Sequence, residues 1–219
     1  MMLAANPLVA QYIHPEDFGA RALSDPRGGD LVLAKQNSAA FAKMLKSVEG
    51  PATYGGKTQY SLSIWLDGWY PICEEIRVAQ IGIQLTGKGP TYNGSGLKWI
   101  GDGTRTESMI HLSQSDFSKI DGVGFIAPPQ KDPAKRLLSA IRTSCQANYS
   151  PQRRLRFEDF QVSDNLGYFG IQSDVYDYAF VAGVLSGWDG SKNSNDDFFV
   201  LDNFNIGFCE SAIRATNNQ

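Results

Sequence analysis

Carboxylates in the second half of the chain are the side chains best suited to chemistry. Two carboxyl groups that face one bond can hydrolyse it, one as an acid and the other as a base or nucleophile, as in glycoside hydrolysis. The candidates are Asp174, Asp177, Asp196 and Asp197, and Trp188 is a candidate for stacking on a sugar ring. Adjacent residues of a strand point to opposite faces, so Asp196 and Asp197 cannot face one bond together if they lie in a strand. A pair formed by Asp174 or Asp177 with Asp196 is geometrically easier.

Two alternatives stay open for these residues. A lyase would need a base for the proton beside a uronate carboxyl, and a cation or metal ion to stabilise the enolate. Calcium is expected only in that case, and no other metal or cofactor is predicted. The aspartates could equally serve in turns, which Asp side chains commonly cap. His111, in the sequence MIHL, is more typical of an outward-facing strand histidine than of a catalyst.

Composition limits the classes of function. The 219 residues are 42% hydrophobic and 20% charged, which is typical of a folded protein. The formal charge of −3 argues against a nucleic-acid partner. No segment approaches the roughly 20 apolar residues of a membrane span, and the N-terminus lacks the basic region of a secretory signal. Three dispersed cysteines and two histidines argue against a disulfide framework and against a metal site built from these residues.

The first element that the pattern predicts is a helix over residues 38–48. Asn37 and Ser38 are suited to cap its N-terminus. Gly50 and Pro51 follow it and are typical of a helix end. Apolar residues recur at helical spacing between these limits, at Ala40, Phe41, Met44, Leu45 and Val48.

From residue 61 the pattern becomes that of short strands, with apolar and polar residues alternating. We therefore divide the chain into residues 1–60, with an N-terminal strand, a loop and a helix, and residues 61–219, with the strands. Residues 132–145 (DPAKRLLSAIRTSC) fit either a helix capped by Asp132 or a strand around residues 140–144.

Four segments share one pattern, in which apolar residues occupy the first, fourth and sixth places. They start at Val78, Ile120, Phe157 and Leu201, about 40 residues apart, and the last three carry an acidic residue in second place. Such a repeat favours a solenoid, with its apolar residues inward and its acidic residues outward. Chance similarity within a β-sandwich is the alternative.

Residues 13–20 (IHPEDFGA) resemble the opening of the pectate-lyase-like superfamily, where a short strand ending in Asp-Phe-Gly-Ala precedes a glycine- and aspartate-rich loop and a capping helix. Here the loop is residues 24–30 (SDPRGGD), and the helix starts at residues 37–41 (NSAAF). The resemblance covers residues 12–126 and extends to three further segments: 68–72 (GWYPI), 83–89 (IQLTGKG) and 97–101 (LKWIG). The family's Gly-Asp-Gly and Thr-Asp-Asp stretches are replaced in this chain.

The resemblance implies an all-β fold, a single-stranded right-handed parallel β-helix (a solenoid) with an N-terminal capping α-helix. It implies a polysaccharide-binding and polysaccharide-degrading protein of the phage tailspike type, acting as a lyase or a glycoside hydrolase. The alternatives are a non-catalytic virion tail fibre or adhesin, for which a homotrimer is expected, and a cellular glucanase of the same fold. The implied location is a virion tail or the extracellular space. We also expect the sequence to be an N-terminal fragment, because the family's catalytic residues lie on middle coils.

Overall fold

The computed structural model describes residues 12–47, 63–79, 82–113, 118–144, 152–153, 155–164, 177–187, 196–197 and 199–215. Among them, α1 spans Leu31–Ser47, and two short 3-10 helices span Pro15–Phe18 and Pro133–Lys135. No helix within these ranges is long and apolar enough to cross a membrane. The strands are β1 Tyr12–Ile13, β2 Ser63–Leu66, β3 Trp69–Ile72, β4 Ile76–Val78, β5 Gln84–Gly87, β6 Gly96–Trp99, β7 Ser108–Ser113, β8 Lys119–Asp121, β9 Gly124–Ala127, β10 Leu137–Ser144, β11 Gln152–Arg153, β12 Arg156–Asp164, β13 Phe180–Ser186, β14 Asp196–Asp197, β15 Val200–Ile206 and β16 Cys209–Ala215.

The helix α1 begins seven residues before the predicted start. Asp30 caps it, because its carboxylate accepts a hydrogen bond from the backbone N–H of Leu33 at 2.8 Å. The predicted caps, Asn37 and Ser38, instead lie inside the helix and are buried. Asn37 holds α1 to the rest of the chain: its amide oxygen accepts from Arg21 N–H at 2.8 Å, and its amide nitrogen donates to the carbonyl of Pro71 at 3.0 Å.

The strands form two main sheets in which all pairs are parallel. The nine-stranded sheet has the order β1-β2-β5-β8-β12-β9-β6-β3, and β15 pairs with β12. The five-stranded sheet has the order β16-β13-β10-β7-β4, and β11 and β14 form a separate pair. Parallel neighbours cannot be joined by tight hairpins, so each pair joins segments distant in sequence.

The long strand β12 connects the two arms of the larger sheet. Its first part pairs with β8 and its last part with β9, and it changes direction at Asp159, where φ is 47°. The neighbouring strand β15 does the same at Asn203, where φ is 44°, and the Asn203 amide donates a hydrogen bond to the Asp159 carboxylate. Asp and Asn adopt this left-handed conformation more readily than other non-glycine residues.

Close packing of Trp69 explains two glycines in the other arm. The indole is fully buried and lies against Gly96 on β6 and Gly124 on β9. A Cβ atom at Gly124 would lie 2.3 Å from the indole, and one at Gly96 would lie 2.6 Å from it. Any larger residue at these positions would therefore displace the ring.

Three of the four repeat segments align as the sequence predicts. Ile120, Phe157 and Leu201 are register partners on β8, β12 and β15, and Ile120 and Phe157 are buried. The first segment does not join them, because Val78 pairs with Leu112 in the five-stranded sheet. The ambiguous residues 132–145 resolve into a 3-10 turn capped by Asp132, followed by the strand β10.

The fold class predicted from the sequence is wrong. The sequence predicts an all-β, single-stranded right-handed parallel β-helix with an N-terminal capping α-helix. The described residues instead form parallel sheets with a helix, an arrangement of the α/β type, and no solenoid is identified among them. The helix is part of the core, since Phe41, Met44 and Leu45 belong to the same hydrophobic cluster as the strands. A strand repeat indicates which segments pair, but it does not indicate how helix and sheets combine around one core.

The helix α1 packs against β3 and β4, which are the terminal strands of the two main sheets. Terminal strands carry unpaired backbone groups and an open apolar side, which a packed helix protects from other chains. The Phe41 ring makes an edge-to-face contact with Tyr70 of β3, with ring centres 5.5 Å apart. The position of α1 therefore fixes one end of both sheets.

Replacing Asn37 tests how strongly α1 is held. Asn37→Ala should lower the free energy of unfolding by roughly 2–4 kcal/mol, because it removes the partner of a buried carbonyl at Pro71 and of a part-buried N–H at Arg21. Val32→Ala, on the exposed side of the same helix, should change it by less than about 0.5 kcal/mol. Urea unfolding followed by circular dichroism measures both, and equal effects would contradict this role of Asn37.

Candidate functional site

One arm of the nine-stranded sheet carries an unbroken row of apolar residues in register. The row is buried in its middle, where Leu85, Ile120 and Phe157 are at most 3% exposed. Its members on successive strands are Ile13, Ile64, Leu85, Ile120, Phe157 and Leu201. Because strand residues alternate between faces, the residues on either side of this row point away from the core.

We call the outward-facing residues on both sides of this row the outer strip. They are exposed or half-buried, and most are polar. Segments such as Lys119-Ile120-Asp121 and Arg156-Phe157-Glu158 show how the sequence produces the strip, with one apolar residue between two charged ones. The strip consists of Tyr12, Ser63, Gln84, Lys119, Arg156 and Val200 on one side, and Trp65, Thr86, Asp121, Glu158 and Asp202 on the other.

Ion pairs organise the middle of the outer strip. The Lys119 ammonium lies 2.9 Å from a carboxylate oxygen of Asp121 and 2.7 Å from one of Glu158. The Arg156 guanidinium pairs with the other oxygen of Glu158. Lys119 and Arg156 hold the pKa of Glu158 below its usual range, and the two carboxylates raise the pKa of Lys119. Glu158 and Lys119 are therefore both charged at neutral pH.

An aromatic pair forms one end of the outer strip. The rings of Tyr12 and Trp65 meet edge to face with centres 5.6 Å apart. The Trp65 indole N–H donates to Asp67 at 3.0 Å, which fixes the orientation of the ring. Tyr12 is 43% exposed, and Trp65 is half-buried. Aromatic rings held in this way offer an apolar surface with a polar rim, which suits a ligand that has both kinds of surface.

Beside this aromatic pair, His14, Glu16 and Asp67 place possible metal-ligand atoms within 4.8 Å of one another. Each of the three residues already has a partner within the protein. His14 bonds to Asp67 at 3.0 Å, the Tyr70 hydroxyl donates to Glu16 at 2.5 Å, and the Lys88 ammonium lies 3.2 Å from Asp67. A positive group at Asp67 opposes the binding of a second cation, so we interpret the cluster as a connection between β1 and the turn before β3.

None of the residues predicted from the sequence as candidates is among the strip residues, and two of them lie outside the described residues. Asp174 and Trp188 belong to the undescribed part of the chain. Asp177 is half-buried and lies just before β13, which is a strand of the five-stranded sheet. Asp196 and Asp197 are consecutive residues of β14, which pairs with β11.

The environment of His111 differs from the one that the sequence predicts. The residue lies on β7 between Ile110 and Leu112, which belong to the core, whereas the sequence predicts an outward-facing histidine. It is only 4% exposed. Both ring nitrogens are engaged, with Glu75 and with Ser144. Sequence reasoning missed these partners because only strand register brings them together.

Sequence reasoning also missed the outer strip as a site, although its signal was present. Asp121, Glu158 and Asp202 are the acidic residues in second place of the repeat, and the sequence predicts that they point outward. The structure confirms this orientation for Asp121 and Glu158. The partners Lys119 and Arg156 lie two residues before them, at a spacing that in a strand means the same face.

Comparison of the chain with family models, with curated proteins and with solved structures finds no match. The resemblance to the pectate-lyase-like superfamily is therefore neither supported nor contradicted, and it stays a prediction.

Removing the central ammonium of the outer strip tests its electrostatics. In Lys119→Met the pKa of Glu158 should rise towards its ordinary value, because the bond from Lys119 is the main cause of its lowering. Carbon-13 NMR titration of the side-chain carboxyls measures this shift. Lys88→Met removes an ammonium that contacts Asp67 instead and should leave the Glu158 titration unchanged. An unaltered Glu158 midpoint in Lys119→Met would refute the arrangement.

Proposed function

We propose that this protein binds a polysaccharide along the outer strip. The observation that supports this most directly is the continuity of the strip, in which a half-exposed aromatic pair leads into charged side chains on successive strands. Neighbouring strands are about 4.8 Å apart, so the strip offers polar groups at regular intervals along a line. A polymer with a repeating unit is the type of ligand that such a line suits.

The chemistry of the groups fits a sugar chain. Tyr12 and Trp65 offer ring faces and edges to the apolar C–H surface of a sugar. The side-chain oxygens of Asp121 and Glu158 can accept hydrogen bonds from hydroxyl groups. Arg156, whose side chain is 54% exposed, can donate to ring oxygens or to an acidic substituent.

The same ion pairs argue for binding without cleavage at the outer strip. A glycoside hydrolase needs one carboxyl group that is protonated near neutral pH. Lys119 bonds to both Asp121 and Glu158, and the lowered pKa of Glu158 makes this residue unsuited to act as the acid. Lys119 is an equally poor base for a lyase, because its raised pKa keeps it protonated. The proposal therefore favours an adhesin or fibre role, on a virion tail or outside the cell, over a degrading role at this surface.

A glycan array followed by calorimetry with the best ligand tests the proposal. Trp65→Ala should weaken binding about tenfold, equivalent to about 1.4 kcal/mol, because it removes the larger ring of the aromatic pair. Tyr92→Ala is a matched control, since Tyr92 is a half-buried aromatic residue that contacts Arg27 and is not one of the strip residues. The proposal fails if the unaltered protein retains no polysaccharide from neutral and acidic panels, or if Trp65→Ala binds as tightly as Tyr92→Ala.

A further inference from the structure

A second group of polar side chains lies on the five-stranded sheet, away from the outer strip. His111 on β7 bonds through Nε2 to the Ser144 hydroxyl on β10 at 2.5 Å, and through Nδ1 to a carboxylate oxygen of Glu75 at 3.1 Å. The other Glu75 oxygen accepts from the backbone N–H of Ser108 at 2.9 Å. The three side chains thus form one continuous line of hydrogen bonds.

The protonation of this line follows from its hydrogen bonds. Burial acts to raise the pKa of Glu75, but the bonds from His111 and Ser108 outweigh it, so the carboxyl is ionised at neutral pH. An ionised carboxylate can only accept, and His111 Nδ1 must therefore carry the proton. Burial lowers the pKa of His111, with the Glu75 bond opposing, so the ring is neutral. Its Nε2 is then unprotonated and accepts a hydrogen bond from the Ser144 hydroxyl.

The surroundings hold this arrangement in place. β4, β7 and β10 are adjacent parallel strands, and Glu75 directly precedes β4. Arg77 and Arg142 are the register partners of His111 on either side, and their charges oppose protonation of the ring. His111 and Ser144 are only 4% and 3% exposed. A nucleophile, a base and an orienting carboxylate on rigid neighbouring strands are the groups that acyl transfer requires.

We propose that Ser144, His111 and Glu75 form an acyl-transfer site that hydrolyses a small acyl ester, with Ser144 as nucleophile, His111 as general base and Glu75 as the positioning residue. This activity goes beyond the proposed binding of polysaccharide and does not depend on it, because the two sets of residues lie on different sheets.

The reaction has two balanced steps. The Ser144 oxygen bonds to the ester carbonyl carbon while its proton passes to His111 Nε2, and the leaving alcohol takes that proton as its bond to the carbonyl carbon breaks. A water molecule then attacks the carbonyl carbon of the acyl-serine and gives one proton to Nε2. That proton returns to the Ser144 oxygen as its bond to the carbonyl carbon breaks, and the carboxylic acid is released. Glu75 keeps the Nδ1 proton in place and stabilises the charged imidazolium formed in each step.

The test uses 4-nitrophenyl acetate as substrate and phenylmethylsulfonyl fluoride as a covalent probe, with mass spectrometry to locate the adduct. The unaltered protein should release nitrophenol faster than free imidazole does and should carry one adduct, on Ser144. Ser144→Ala should lose the adduct and reduce the rate on the order of 10³-fold. Ser113→Ala is the matched control, because Ser113 is a buried serine and the register partner of Ser144 on β7.

Two further measurements separate catalysis from a structural role. Glu75→Gln should lower kcat with little change in KM, and the rate of the unaltered protein should rise with pH through a midpoint below about 6.5, the ordinary imidazole pKa. Thermal unfolding verifies that each variant is folded. An adduct elsewhere, or equal rates for Ser144→Ala and Ser113→Ala, would overturn the proposal. So would a rate no greater than that of imidazole.

Discussion

Parallel register between distant segments is the constraint on which the rest of the structure depends. Each strand of the two main sheets places apolar side chains beside apolar neighbours, as in the row through Ile120, Phe157 and Leu201. A shift by one residue would turn these side chains outward and bury charged ones, at a cost of several kcal/mol per charge. The same register that fills the core therefore also aligns Lys119 with Arg156 and Asp121 with Glu158 on the surface.

Local patterns in the sequence predicted those features that depend on neighbouring residues. Alternation around Ile120 and Phe157 predicted which residues face the core, and the Asp132-Pro pair indicated a capped helix start, which the structure shows as a single 3-10 turn. The start of α1 was missed because Asn37 has the residue type of a cap, whereas its amide bonds to Arg21 and Pro71 far along the chain. A buried asparagine and a capping asparagine cannot be distinguished without those partners.

Features that depend on distant segments could not be predicted in this way. Glu75 and His111 are separated by 36 positions, and His111 and Ser144 by 33, so no motif joins them. The class of fold was mistaken for a related reason. The repeat shows which strands share a row, but the contribution of Phe41 and Met44 to the common core appears only once α1 is placed against β3 and β4.

The two ends of the main sheets differ in how well they are protected, so local unfolding should begin at one end. α1 covers one end, while at the other end β15 pairs only with β12 and β16 only with β13 among the described strands, and Val200, Phe204 and Ile213 are 43–44% exposed. Opening such a strand exposes little additional apolar surface, so it costs less than opening an inner strand. Backbone amides of β15 and β16 should accordingly exchange with solvent deuterium first, and exchange should slow towards α1.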